Sequence, residues 1–197
     1  MTDKANQNIY ELITSRRTVR QFSSRSVPDE LLKNMVNAAR LAPSAANMQP
    51  LEFIIVTDED IRGKIFPCLK WAAYIAPEGN PKPGREPRAY IVTLVNAEIK
   101  KKGYEWDAGA AIENMILTAW AHNIAACWML SVERDEVRKI LGIPASHLID
   151  SVLALGYPEE QPVAEDDADS IKYYQDADGR LHVPKRPLKK VMHINGF

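Results

Sequence analysis

The stretch SRRTVRQF, Ser15 to Phe22, sets three guanidinium groups and a hydroxyl within five positions, Arg16 to Arg20. Guanidinium forks match the paired oxygens of a phosphate and the threonine hydroxyl adds another donor, so Arg16, Arg17, Thr18 and Arg20 read as a phosphate clamp. They read equally as a solvated helix end, where basic side chains are favoured by the helix dipole. A second stretch, LAPSAANMQPLEFIIV, Leu41 to Val56, places Ser44, Asn47 and Gln49 in a loop bracketed by prolines. Three uncharged hydrogen-bonding side chains in a rigid loop suit the edge of a polar heteroaromatic ring. Serine and asparagine also serve turns for purely local reasons.

Other chemistries lack their residues. Neither G-x-G-x-x-G nor G-x-x-x-x-G-K-[ST] occurs, so a nucleotide phosphate, if bound, is held by side chains. His122, His147, His182 and His193 show no H-E-x-x-H spacing, and no G-x-S-x-G elbow presents a serine. Cys68 and Cys127 form no C-x-x-C pair, and Cys127 lies in an apolar run that suits a packed thiol. With 25 Lys and Arg against 26 Asp and Glu, the formal charge of −1 provides no global field for nucleic acid or an anionic membrane. No long apolar span and no secretion signal stands out, which sets the expectation of a reduced, cytoplasmic protein.

The elements that must position these residues follow from periodicity. Ile9 to Thr14 reads as a short helix. Pro28, Asp29 and Glu30 open a second, with Leu31, Leu32, Met35, Val36, Ala38 and Ala39 at helical spacing and Pro43 beyond its end. Leu51 to Thr57, Ala89 to Val95 and Leu148 to Tyr157 are strands whose nearly continuous apolar runs predict a sheet covered on both faces. Between the first two strands, prolines and glycines predict an irregular excursion with room for a short helix around KWAAY. Glu105 to Asn123 predicts a central buried helix, Ala125 to Ser131 a turn into a strand, and Glu133 to Ile143 an amphipathic helix closed by Gly142 and Pro144. Residues 158 to 197 hold too little apolar matter for a core of their own and are expected to drape over a neighbour, a second subunit being the candidate.

Taken together, R-R-T-V-R followed by A-P-S-A-A-N-M-Q-P resembles the signature of the FMN-dependent nitroreductase family. DAGAAIENMILTAWAHNIAACWML, Asp107 to Leu130, resembles its core helix and following strand, and PKRPLKKVMHINGF its basic C-terminal end. The resemblance runs from about Ile9 to the terminus. It implies an α+β fold: a three-layer α/β/α sandwich with a mostly antiparallel central sheet, in one domain over 1–197, assembled as an intertwined homodimer. Residues 158 to 197 would then wrap the partner subunit.

The resemblance also assigns roles. The FMN phosphate would meet Arg16 and Thr18 with Lys185 or Arg186, Arg20 would lie near the pyrimidine edge of the flavin, and Arg17 would contribute through its backbone. Pro43, Ser44 and Asn47 would contact flavin bound mainly by the partner, and the backbone of Met129 and Leu130 would face the flavin. Ala45 stands where some relatives carry serine, and Leu130 where glycine is common. NAD(P)H would be the electron donor and a nitroaromatic, quinone or similar small molecule the oxidant, in a ping-pong cycle needing no catalytic side chain and no metal. Other flavin chemistry on the same fold, such as dehalogenation or oxidative fragmentation, and a non-catalytic phosphate-binding role stay open. Trp71 and Tyr74 are candidates for an aromatic pocket or for core, and Arg85 and Arg88 for contact with NAD(P)H or for solvated surface.

Overall fold

The computed structural model describes residues 9–167 and 169–197. Helix α1 (Ile9–Ser15) leads through the extended arginine stretch to α2 (Asp29–Arg40), whose first turn carries Asp29 and Glu30 behind Pro28. Strand β1 (Leu51–Val56) follows, then α3 (Glu59–Ile65), β2 (Ala89–Asn96), α4 (Glu105–Ala121), β3 (Ala125–Met129), α5 (Arg134–Leu141) and β4 (His147–Gly156). These four strands form one sheet in the order β1-β2-β4-β3, antiparallel at every pairing.

Alternation along the strands divides the core into two layers. Ile91, Leu153 and Leu155 face α2 and α4, packing with Leu32, Met35, Ile112 and Met115. Tyr90, Val92, Val152 and Ala154 face the other way, against Ile65, Trp71 and Val137 from α3, the excursion and α5. The result is the expected α+β sandwich of three layers. Burial on both faces holds for β2 and most of β4 but not for β1, an edge strand whose residues are mostly half-buried or exposed. Its apolar run alone does not reveal that one flank lacks a neighbour.

Two elements depart from the sequence reading. Helix α3 lies inside the segment read as irregular. The Asp58 carboxylate caps it by accepting from the Ile61 amide at 2.9 Å, acids fill its first turn and Arg62 and Lys64 its last. The chain-breaking prolines and glycines sit downstream, where only a 3₁₀ turn (Ala73–Ile75) forms around KWAAY. Residues 158 to 197 also contain a small sheet in the order β5-β7-β6, from β5 (Val163–Asp166), β6 (Tyr174–Gln175) and β7 (Leu181–Lys185). The turn joining β6 to β7 is built by Asp176, whose carboxylate accepts from the amides of Asp178 and Arg180, and by Gly179 at φ 77°. Among the described residues no helix is long and apolar enough to cross a membrane.

The arginine stretch is fastened where β4 ends. Phe22 is fully buried, and a Cβ built on Gly156 would lie 2.8 Å from its ring and 2.9 Å from its Cβ. Gly156→Ala is therefore expected to cost about 1–3 kcal/mol in urea unfolding. Gly63 in α3 has open space around its Cα, and Gly63→Ala should stabilise by about 0.5–1 kcal/mol in the same measurement.

Candidate functional site

From Arg16 to Phe22 the chain is extended and pinned. The Val19 amide donates to the Ala126 carbonyl of β3 at 3.2 Å, and Thr18 bridges Ala126 in parallel. The Glu160 carboxylate accepts from the backbone amides of both Arg20 and Gln21, and the Glu159 amide donates to the Gln21 carbonyl. Period-two alternation buries Val19 and Gln21 and leaves Arg16, Thr18 and Arg20 on the other side.

These three line a cavity of about 520 Å³. Arg17 lines it too, as does Lys185 at the end of β7, while Ala164, Val183 and Tyr173 bring the small sheet against it. Four cations and two threonine hydroxyls line this space and no carboxylate does among the described residues. Arg17 is partly spent on the helix end. Its guanidinium donates to the carbonyls of Thr14 at 2.7 Å and Arg16 at 2.6 Å, and burial, then the Arg16 charge, lowers its pKa. Arg186 is absent from the lining and donates to the Lys190 carbonyl instead. Of the two C-terminal candidates, Lys185 is the one at the cavity.

Pro43 and Ser44 line a different cavity, of about 250 Å³, with Leu51, Phe53 and Asp107, and no residue lines both. Asn47 lines neither, but shapes the loop: Ala46, Asn47 and Gln49 adopt φ of 52°, 54° and 50°. The Gln49 amide donates to Ser44 Oγ at 3.1 Å and the Ala45 amide to Asp107 Oδ1 at 3.0 Å. Asp107 is buried and its other oxygen meets Lys100 at 2.7 Å. Burial opposes ionisation, yet the Lys100 ammonium and the Ala45 amide outweigh it and hold this carboxyl below the usual range.

Met129 and Leu130 line neither cavity. Met129 is buried, and Leu130 is exposed with its carbonyl accepting from Arg134 at 3.2 Å. Cys127 is a core thiol, pushed up to about 11 by burial. Trp71 is core as well, at 6% exposure, whereas Tyr74 is half in solvent. Arg88 holds the carbonyls of Ser23 and Gly84, and Arg85 faces Glu159 at 3.7 Å, so neither reaches the cationic cavity.

Tyr173 was not legible as a site residue. Its ring centroid lies 5.1 Å from the Arg20 guanidinium carbon, and it stands in a polar stretch with no periodicity to give it a face.

The nitroreductase family model matches residues 13–157. The chain belongs to the nitroreductase family. A protein of Archaeoglobus fulgidus provisionally named NADH dehydrogenase/NAD(P)H nitroreductase is 34% identical over 158 residues, 77% of this chain and 86% of that one. The iodotyrosine deiodinase of Haliscomenobacter hydrossis is 27% identical over 182 residues, covering 80% and 82%. In fold, the chain matches a nitroreductase from Desulfovibrio desulfuricans solved in complex with FMN, with a TM-score of 0.70 at 21% identity, covering 98% of this chain and 99% of that one. These nitroreductase relatives support an NAD(P)H-dependent oxidoreductase.

Two predictions follow from the ion pairs around the cavities. Asp107→Ala would strand the Lys100 charge and free the Ala45 amide, and is expected to cost about 3 kcal/mol in urea unfolding. His182 faces Glu165 Oε2 through Nδ1 and Asp176 Oδ2 through Nε2, each at 3.0 Å, and stacks on Tyr174. Glu165 first and then Asp176 raise its pKa above 6.5, while His182 lowers those of Glu165 and Asp176 below 4.5 and 3.8. A raised histidine stabilises fully below its unfolded value and loses that contribution as pH climbs through its folded value. Lowered carboxylates stabilise fully above theirs and lose it as pH falls. Amide exchange protection of β7 should therefore be greatest from about pH 4.5 to 6.5 and decline on either side, and His182→Gln should flatten the alkaline decline.

Proposed function

We propose that the protein is an FMN-dependent oxidoreductase that takes electrons from NAD(P)H and passes them to a small organic acceptor. The observation that carries this reading is the charge of the cavity of about 520 Å³: Arg16, Arg17, Arg20 and Lys185 surround it, with no lining acid among the described residues. That donor set fits a phosphate, whose charge and paired oxygens need several cationic donors, and the volume suits a cofactor-sized ligand. Arg16, Thr18 and Lys185 hold the phosphate. Arg20, fixed through its backbone by Glu160, places a permanent cation where reduction of the ring adds negative charge. FMN, when bound, would supply the redox chemistry between NAD(P)H and a nitroaromatic, quinone or similar oxidant in a ping-pong exchange. The side chains bind, orient and stabilise charge; none serves as a nucleophile.

The reading extends to a homodimer. Pro43, Ser44 and Asn47 belong to a loop away from the arginine cavity of their own chain, which suits a flavin shared between subunits. Ile9, Tyr10 and Ile13 on α1 are exposed, as are Leu188, Val191, Met192, Ile194 and Phe197. Apolar surface left at both ends of a chain is what a wrapping partner would cover. A second reading, reductive dehalogenation on the same flavin, is favoured by the likeness to the Haliscomenobacter hydrossis deiodinase.

The purified protein should show a flavin spectrum that bleaches on anaerobic addition of NADH or NADPH. No flavin uptake on incubation with FMN would end the reading, and NADH- or NADPH-dependent halide release from iodotyrosine would favour the second. Arg16→Ala should raise the Kd for FMN by roughly tenfold to a hundredfold, the worth of one charge-assisted phosphate contact. Arg186→Ala should change it less than threefold, both read by quenching of flavin fluorescence.

A further inference from the structure

Tyr173 and Tyr74 come from two segments with no regular structure in common, the link between β5 and β6 and the excursion before β2. Their rings nevertheless meet, with centroids 4.9 Å apart at 54°, and the Tyr74 amide lies 3.4 Å from the Tyr173 hydroxyl. Tyr173 lines the cationic cavity and also contacts Arg20. A continuous aromatic surface therefore leads from Arg20 outward to Tyr74, which is 52% exposed.

Core packing accounts for only part of this pair: Tyr173 rests against the core layer that holds Trp71 and Tyr90, and Tyr74 stays half in solvent. Trp71, three residues before Tyr74, performs that task in the same excursion and is 6% exposed. Tyr173 is only half-buried and Tyr74 half in solvent, so most of the value of burying two rings is left unused. Tyr173 also lies outside residues 13–157, the part of the chain that the family model matches. The cationic end of the cavity from Arg16 to Arg20 belongs to the matched part, and so does Tyr74.

We infer that Tyr173, backed by Tyr74, is the specificity-determining wall of the cavity and selects a flat aromatic ring for the compound that enters beside the cofactor. This rests on the reading proposed above. An aromatic ring entering at the mouth gains an offset or edge contact with Tyr173 that a saturated ring of equal size and charge does not.

The test uses the full-length protein loaded with FMN, and reads the flavin difference spectrum on titration with benzoate and with cyclohexanecarboxylate. Wild type should bind benzoate more tightly. Tyr173→Leu should cut that preference about fivefold, as expected for loss of one aromatic pair, while Tyr173→Phe should hold it within twofold. Retention of the full preference in Tyr173→Leu would overturn the proposal. Should Tyr173→Leu fail to retain flavin, Tyr74→Leu decides: a reduced preference supports the wall and an unchanged one overturns it. Wild-type protein that takes up no FMN removes the functional reading itself, and this inference with it.

Discussion

Everything at the cationic cavity depends on how seven residues of extended chain are kept from sliding. An extended segment exchanges its two faces when its register slips by one residue. Such a slip would bury Thr18 and Arg20 and expose Val19 and Gln21. Three contacts forbid it: the Val19 amide on Ala126, the Glu160 carboxylate on the amides of Arg20 and Gln21, and Phe22 seated against Gly156. The last is steric, because any side chain at position 156 would occupy the space of the ring. It lies at the end of a strand whose neighbours on both sides are buried, so the rigidity of the sheet is transmitted to the arginines.

The other wall of the cavity is built on less. The sheet of β5, β6 and β7 buries little apolar surface and carries Lys185, Val183 and Ala164 to the cavity. Its cross-links are polar, with His182 reaching the carboxylates of Glu165 on β5 and of Asp176 in the turn after β6. A neutral imidazole has one N–H and cannot donate to two carboxylates, so the link from β5 through β7 to the turn after β6 is complete only when the ring is charged. One wall is thus held by packing and the other by charge, and their stabilities respond to different conditions.

How much of this can be read in the sequence follows from the range of each interaction. The helix from Asp29 to Arg40 is legible because its apolar spacing is local and repeats over several turns, and that from Glu105 to Ala121 because it is long, Ala-rich and apolar on most sides. Helix α3 is less so: at seven residues it carries its signal in Asp58, Glu59, Asp60, Arg62 and Lys64, charges that mark ends rather than a face. The arginine and Ser44–Asn47 stretches are legible as chemistry, since the residue types state what they bind. Their partners are not. Glu160 stands 140 positions from Arg20, and nothing in EEQPV distinguishes a carboxylate that fixes backbone amides from one in solvent. Lys185 and Arg186 are adjacent and chemically alike, and only the alternation of β7 against the cavity separates them.

The two readings of the arginine stretch, phosphate clamp and helix end, turn out not to compete. Arg17 donates to carbonyls at the end of α1, as the helix-end reading requires. By doing so it directs its own guanidinium back along the chain and leaves Arg16 and Arg20 on the cavity side. Glu160 completes the arrangement. One oxygen of its carboxylate accepts from the backbone amides of Arg20 and Gln21, where it fixes position. The acid thus serves the main chain from outside the lining, which carries four cations. Replacing Glu160 by an apolar residue would keep the four cations and remove one of the three contacts that hold the register.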